Sequence, residues 1–366
     1  MKLGFGLYSH MLDAENYAFA RQAGATHIVA HLTDYFYKGD PDGAGDQPLG
    51  NTKRGWGYAP KQEVWSTDTL KKLKDEMKKF DLKLEVLENI SPAFWHDILL
   101  DGPGRERHLE NVRQLIRNMG EAGIPILGYN FSLAGVAGRT KGPYARGRAQ
   151  AVGMEGISRA IDTPISKGMV WNMVYDPRAP EGFEETITYK ELMRRYKGFI
   201  SEMLPVAQKA GVKLALHPDD PPLKEVRRQP RLGYHPDHYK AIMQLDDSPN
   251  HVMELCIGTL GEMVDGDLYE AVDYFARTHK IGYLHCRNIR DKVPDYKETF
   301  VDEGEIDMIR VLKILKKHDF QGIIIPDHAP QMSCEAPWHA GMAYAMGYLK
   351  ALIQVIANEN KGYGYG

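Results

Sequence analysis

Cysteine is scarce: the chain has three in 366 residues, and none sits in a CxxC pair. An odd, unpaired set argues against a disulfide framework and for a reducing compartment, so a cytoplasmic location is expected. Charge of one sign is lacking too. With 46 basic and 49 acidic side chains the formal net charge is −3, which supplies no basic field for nucleic acid or an anionic membrane surface. No apolar run approaches the ~20 residues that a bilayer-spanning helix needs. The opening stretch, "MKLGFGLYSHML", has neither an uninterrupted apolar core nor a small-residue cleavage site, so no signal peptide is expected. Internal repeats and separating linkers are missing as well, and one domain over 1–366 is expected.

What is present is an alternation. Short apolar runs occur at 3–9, 27–32, 83–89, 124–131, 212–218, 251–258, 281–288 and 322–328, and such runs fit strands buried on both faces. Between them lie segments with apolar residues at three- and four-residue spacing, for example 14–24, 105–123, 196–211 and 307–319. Several end in Gly where a helix C-terminus favours one. Eight strands alternating with helices predict an α/β fold, a (β/α)8 TIM barrel. The length exceeds the roughly 250 residues of a plain barrel. The surplus falls in a Gly-, Asp- and Pro-rich loop at 34–60, after strand 2, and in an excursion at 132–187, after strand 4. The second excursion reads as a lid or as a contact between subunits, and a homo-oligomer is expected. The tail "NKGYGYG" is expected to fray.

In this fold the active site is built where the strands run out. Strand 3 ends in Glu88-Asn89 and strand 4 in Tyr129-Asn130. Strand 5 delivers His217 into "PDDPP", a stiff turn carrying Asp219 and Asp220. Strand 6 carries Cys256, strand 7 His285 with Arg287 and Asn288, and strand 8 Asp327-His328. A single histidine or cysteine at a strand end is ordinarily a core residue. Four ligand-type residues, His217, Cys256, His285 and Asp327, at the same rim of four neighbouring strands point instead to a shared metal ion. Two imidazoles, a thiolate and a carboxylate suit Mn2+, Fe2+, Co2+, Ni2+ or Zn2+ better than the all-oxygen preference of Mg2+.

The motifs "LHPDDPP", "CIGTLGEM", "LHCRN" and "PDHAPQM" resemble the metal-site motifs of the mannonate dehydratases, metal-dependent barrels of hexuronate breakdown. The likeness continues through "RQAGATHIV" (21–29), "EVWS" (63–66), "YNF" (129–131) with Arg139-Thr140 beyond it, and "GEIDM" (304–308), so it covers essentially the whole chain. The resemblance implies conversion of D-mannonate to 2-dehydro-3-deoxy-D-gluconate and water by a carbon–oxygen lyase, with Mn2+ as cofactor. It places His217, Cys256, His285 and Asp327 on the metal ligands and His328 on an acid/base histidine. A tyrosine of the last helical region, thought to complete the acid/base pair, falls on Ala343; Tyr344, one residue on, is the catalytic candidate in its place beside His328, with a metal-bound water as the alternative. Two further departures are Ile325, where the family has arginine, and the shortened segment "FVDEGEIDM". Asn130, Arg139, Asp219, Arg287, Asn288 and Glu88 are the candidates for holding a sugar acid, since a guanidinium fork matches a carboxylate.

Two other readings compete. A sugar isomerase, epimerase or eliminase would use the same metal for related proton chemistry, although such enzymes favour carboxylate-rich ligand sets and Cys256 counts against them. A non-catalytic barrel that binds a sugar acid fits the tyrosine departure, but gives His328 no purpose.

Overall fold

The computed structural model describes residues 1–34, 36, 55–59 and 62–359. Eight parallel strands close into a barrel. They are β1 (Lys2–Leu7), β2 (His27–Ala30), β3 (Lys83–Glu88), β4 (Ile126–Tyr129), β5 (Lys213–Leu216), β6 (His251–Cys256), β7 (Ile281–His285) and β8 (Ile323–Ile325). Each of the eight apolar runs contributes one strand, and each strand pairs with its sequence neighbours until β8 closes on β1.

The local chemistry of the helices follows the sequence. Ser66 caps the helix Thr67–Lys78 by accepting from the Thr69 amide at 3.2 Å, and Asp267 and Asp307 cap theirs in the same way. Gly123 and Gly211 end the two long helices Arg105–Ala122 and Tyr189–Ala210 at φ 67° and 70°, a left-handed conformation that glycine adopts without a Cβ penalty. The closing helix, Pro337–Asn358, is long and apolar enough to cross a bilayer, unlike anything expected from run length. Here it lays Trp338, Met342, Ala345, Met346 and Leu349 inward and packs against β1 and the helix Met308–Lys317.

The two excursions differ from plain loops. Most of 34–60 lies outside the described residues, but Gly57–Tyr58 pairs in parallel with Met173–Val174. The 132–187 segment contains a hairpin, Arg139–Ala145 with Ala149–Met154, which Lys297–Thr299 and Asn288–Arg290 extend to a four-stranded sheet. The excursion is thereby tied to the loop that follows β7. The expected fraying of "NKGYGYG" concerns residues 360–366, outside the described residues.

Inside the barrel, period-two alternation stacks two unlike layers. The lower layer is apolar: Val29, Val86, Ile126, Ala215, Val252, Tyr283, Ile323 and Ile325 form one buried cluster. Two residues further along the same strands stand His31, Glu88, His217, Glu254, His285 and Asp327. The apolar plug therefore carries a polar layer directly above it, at the C-terminal mouth.

Candidate metal centre and active site

The register brings the four sequence-predicted ligands together. Cys256 and His285 are paired neighbours across β6 and β7, and His285 faces Ile325 across β7 and β8, two residues before Asp327. Donor atoms of His217, Cys256 and His285 all lie within 4.8 Å of one another. Asp327 completes the group: its Oδ1 is 3.5 Å from His285 Nδ1 and its Oδ2 is 3.7 Å from Cys256 Sγ.

The groups around each ring assign the ligating nitrogens. His217 Nδ1 bonds the Pro218 carbonyl at 2.5 Å, so Nδ1 carries the proton and Nε2 is left for an ion. His285 Nε2 lies 3.3 Å from a carboxylate oxygen of both Glu88 and Glu254, so its Nδ1, on the Asp327 side, is the ligating atom. Both ring nitrogens of His285 are buried and neither has a hydrogen-bond partner of normal geometry, so Nδ1 is placed toward the ion by its position beside Asp327 and Cys256. Two imidazole nitrogens, a sulfur and a carboxylate oxygen thus converge with the chemistry of a borderline-soft divalent ion. The residues fit the group that the sequence implied.

The electrostatics agree. Burial opposes ionisation of Cys256, but Arg287 and the two histidines outweigh it and bring the thiol down to about 6. A backbone amide, Thr259 N–H, also points at the sulfur from 3.5 Å. Burial likewise opposes the charge on His217, yet the Cys256 bond and Glu254 raise it to about 9. Asp327 is buried and still held well below the carboxylate range by His328, His285 and Arg287.

A cavity opens above the layer, lined by Glu88, Asn89, Asn130, Arg139, His217, His285, Asp327 and His328, with Tyr8, Trp56, Trp171 and Trp338 as its aromatic walls. Trp56 and Trp171 meet edge to face with centroids 5.1 Å apart. Of the candidate substrate residues, Asn130, Arg139 and Glu88 line this cavity. Asn130 donates to Asn89 Oδ1 at 2.9 Å, and Arg139 pairs with Asp220 Oδ2 at 2.9 Å.

The remaining candidates stand elsewhere. Arg287 is 1% exposed and lies behind the ligand layer, where it bonds Asp220, Glu262 and Glu298 at 2.9, 2.7 and 3.2 Å. Its charge serves buried carboxylates rather than the cavity. Asn288 is consumed by backbone: it donates to the Val301 and Ile306 carbonyls and accepts from the Ile306 amide, all at 2.9 Å. Asp219 is buried between Arg231, Tyr239 and the Gly233 amide, while its neighbour Asp220 turns to the two arginines. Tyr344 is not among the lining residues. Its ring packs on Phe300 and its hydroxyl accepts from Arg146 at 3.4 Å.

Sequence reasoning missed Glu298, Glu254 and the aromatic walls. Glu298 Oε1 lies 3.2 Å from His328 Nδ1, a pairing across thirty positions that no motif announces. Glu254 had a signal: it is the one acidic residue within "HVMELC", an apolar strand where a buried carboxylate calls for a partner.

Comparison with known proteins agrees with this geometry. The D-mannonate dehydratase (UxuA) family model matches residues 1–362. A mannonate dehydratase of Geobacillus thermodenitrificans is 30% identical over 334 residues, which cover 83% of this chain and 87% of the relative. The crystal structure of mannonate dehydratase from Streptococcus suis serotype 2 superposes with a TM-score of 0.77 at 23% identity, covering 99% of this chain and 95% of that one. A D-psicose 3-epimerase from Clostridium cellulolyticum H10 shares the fold at a TM-score of 0.55 and 12% identity, over 97% and 99% of the two chains. A barrel whose strand ends gather two histidines, a cysteine and an aspartate beneath a cavity, and whose sequence matches the family over residues 1–362, belongs to the D-mannonate dehydratase family.

Proposed function

We propose that the chain converts D-mannonate to 2-dehydro-3-deoxy-D-gluconate and water, with Mn2+ as the resident ion and His328 as the proton-transferring residue. The observation that carries this reading is the His328–Glu298 pair at the edge of the metal-ligand layer. Glu298 is buried, and His328 and Arg287 overcome that burial to keep it ionised. Glu298 Oε1 at 3.2 Å is nearer to His328 Nδ1 than the Arg287 guanidinium at 3.4 Å, so the carboxylate takes the Nδ1 proton, and Nε2 stands 3.3 Å from Asp327 Oδ1. A carboxylate-oriented imidazole is a general acid/base whose tautomer is set in advance.

Dehydration breaks the C2–H and C3–O bonds of the sugar acid. A divalent ion held by His217 Nε2, Cys256 Sγ, His285 Nδ1 and Asp327 would stabilise the negative charge that develops next to the substrate carboxylate. His328 Nε2 accepts the C2 proton and, as the imidazolium, returns it to the departing C3 hydroxyl, which leaves as water. The resulting enol then ketonises at C2. One histidine serves both steps in this scheme, as befits a site in which Tyr344 is turned away. Arg139 and Asn130 hold the substrate's carboxylate and hydroxyls along the cavity wall, and the aromatic walls keep water out.

The test is turnover of D-mannonate by the Mn2+-loaded protein, followed by the appearance of the 2-keto-3-deoxy acid. Loss of that product in His328→Ala, with metal still bound, is the expected result; product formation at the wild-type rate in that variant would reject the role of His328. Absence of turnover by wild-type protein with Mn2+ bound would reject the substrate.

A further inference from the structure

Glu254 is an expensive residue for the inside of a barrel. It is fully buried in β6, directly above the apolar plug, and it does not line the cavity. A second carboxylate, Glu88, stands against the same imidazole, that of His285, so two buried acidic side chains share one small space. An aliphatic side chain at this position would extend the plug at no electrostatic cost.

The geometry around the pair is built. Glu254 Oε1 and Glu88 Oε2 both lie 3.3 Å from His285 Nε2. The Tyr283 hydroxyl donates to Glu88 Oε2 at 3.0 Å from below. Gly128 of β4 makes the room: a Cβ there would sit 2.3 Å from the Tyr283 hydroxyl and 2.5 Å from Glu254 Oε2. The sequence thus gives up a side chain on one strand so that a polar cluster fits beneath His285.

We infer that Glu254 is a positioning residue of the metal centre: with Glu88 it faces His285 Nε2 from 3.3 Å and confines the ring so that Nδ1 faces the ion. This rests on the metal-centre reading above and deepens it. A ligating imidazole needs its other nitrogen protonated and anchored, and removal of such an anchor typically weakens metal binding by about 10- to 100-fold. Glu88 reaches both the cavity and His285, whereas Glu254 stays beneath the ligand layer and does not line the cavity, so Glu254 isolates the anchoring role from substrate contact.

The experiment is Mn2+ titration of the full chain by calorimetry, with the visible absorption of the Co2+-substituted protein as a second readout. Glu254→Leu is expected to weaken Mn2+ by about 10- to 100-fold and to shift the Co2+ ligand-field bands. Glu254→Gln, which keeps a polar oxygen of the same reach facing Nε2, is expected to retain most of the affinity. A Glu254→Leu protein that melts cooperatively, binds Mn2+ within about twofold of wild type and shows the wild-type Co2+ spectrum overturns the inference. Should the leucine variant fail to fold, Gly128→Ala decides, because it keeps every charge and displaces the Glu254 carboxylate. Weakened binding supports the anchor and unchanged binding overturns it. Failure of the metal-centre reading looks different: wild-type protein would bind no Mn2+, or His217→Ala would bind it as well as wild type.

Discussion

His328 and Glu298 face each other across 3.2 Å, imidazole Nδ1 to carboxylate Oε1, although they belong to separate segments of chain. Arg287 touches the same carboxylate oxygen at 3.2 Å and also approaches Asp327 at 3.4 Å. His328, through its Glu298 partner, and Asp327 are therefore both steadied by one buried guanidinium.

Replacing Glu298 by Gln keeps the shape and removes the charge that selects the His328 tautomer. On the scale seen when a catalytic histidine loses its carboxylate, kcat should fall by about 10²- to 10⁴-fold. Mn2+ content and KM for D-mannonate should stay near wild type. Steady-state kinetics with metal analysis checks this, and a variant with unchanged kcat would remove Glu298 from the mechanism.

Metal loading should release protons at neutral pH. In the metal-free protein His217 is held up to about 9, His285 is held, against its burial, well above the usual imidazole range by Glu88 and Asp327, and Cys256 is brought down to about 6, so at pH 7 the thiolate is ready but both imidazoles must lose a proton. Mn2+ affinity should consequently rise with pH from 7 toward 9, by up to about tenfold per unit for each proton released. Calorimetry in buffers of different ionisation enthalpy reads the proton count directly; no proton release at pH 7 would contradict the assignment.

Chelation should abolish turnover and lower the melting temperature, and Mn2+ should restore both. At a free concentration of about 100 times Kd the bound ion adds about 2.7 kcal/mol to stability. A melting temperature indifferent to EDTA and to added Mn2+ would argue that no ion is held between β5 and β8.

Tyr344→Phe and Asn288→Ala should separate architecture from chemistry. The Tyr344 hydroxyl meets Arg146 on a half-exposed surface, so its loss should leave kcat within about twofold and cost less than about 1 kcal/mol. Asn288→Ala strands buried carbonyls and an amide and should cost about 2–5 kcal/mol, read as a lower melting point. A Tyr344→Phe variant without turnover would show that the hydroxyl reaches the substrate after all.

Much of the site was legible because strand alternation is a local rule. Val29 to His31, Val86 to Glu88, Ala215 to His217, Tyr283 to His285 and Ile325 to Asp327 are each two residues apart. A switch from apolar to polar at that step marks the top of the barrel interior on sequence alone. Neighbours off that step were not legible. Asp219 and Asp220 are chemically identical in the sequence, yet one is held by Arg231 and Tyr239 and the other by Arg139 and Arg287.

The sequence by itself therefore determined the barrel and the rim at which the four candidate ligands and His328 stand, because period and strand-end position are written within a few residues. Only the tertiary structure decided which polar groups serve the cavity and which serve the frame. Arg287 and Asn288 went to buried carboxylates and backbone, Tyr344 to the surface, and Glu298 and Glu254 to the two histidines. Those outcomes depend on which distant segment supplies the missing hydrogen-bond partner inside a low-dielectric core, where every polar group must find one.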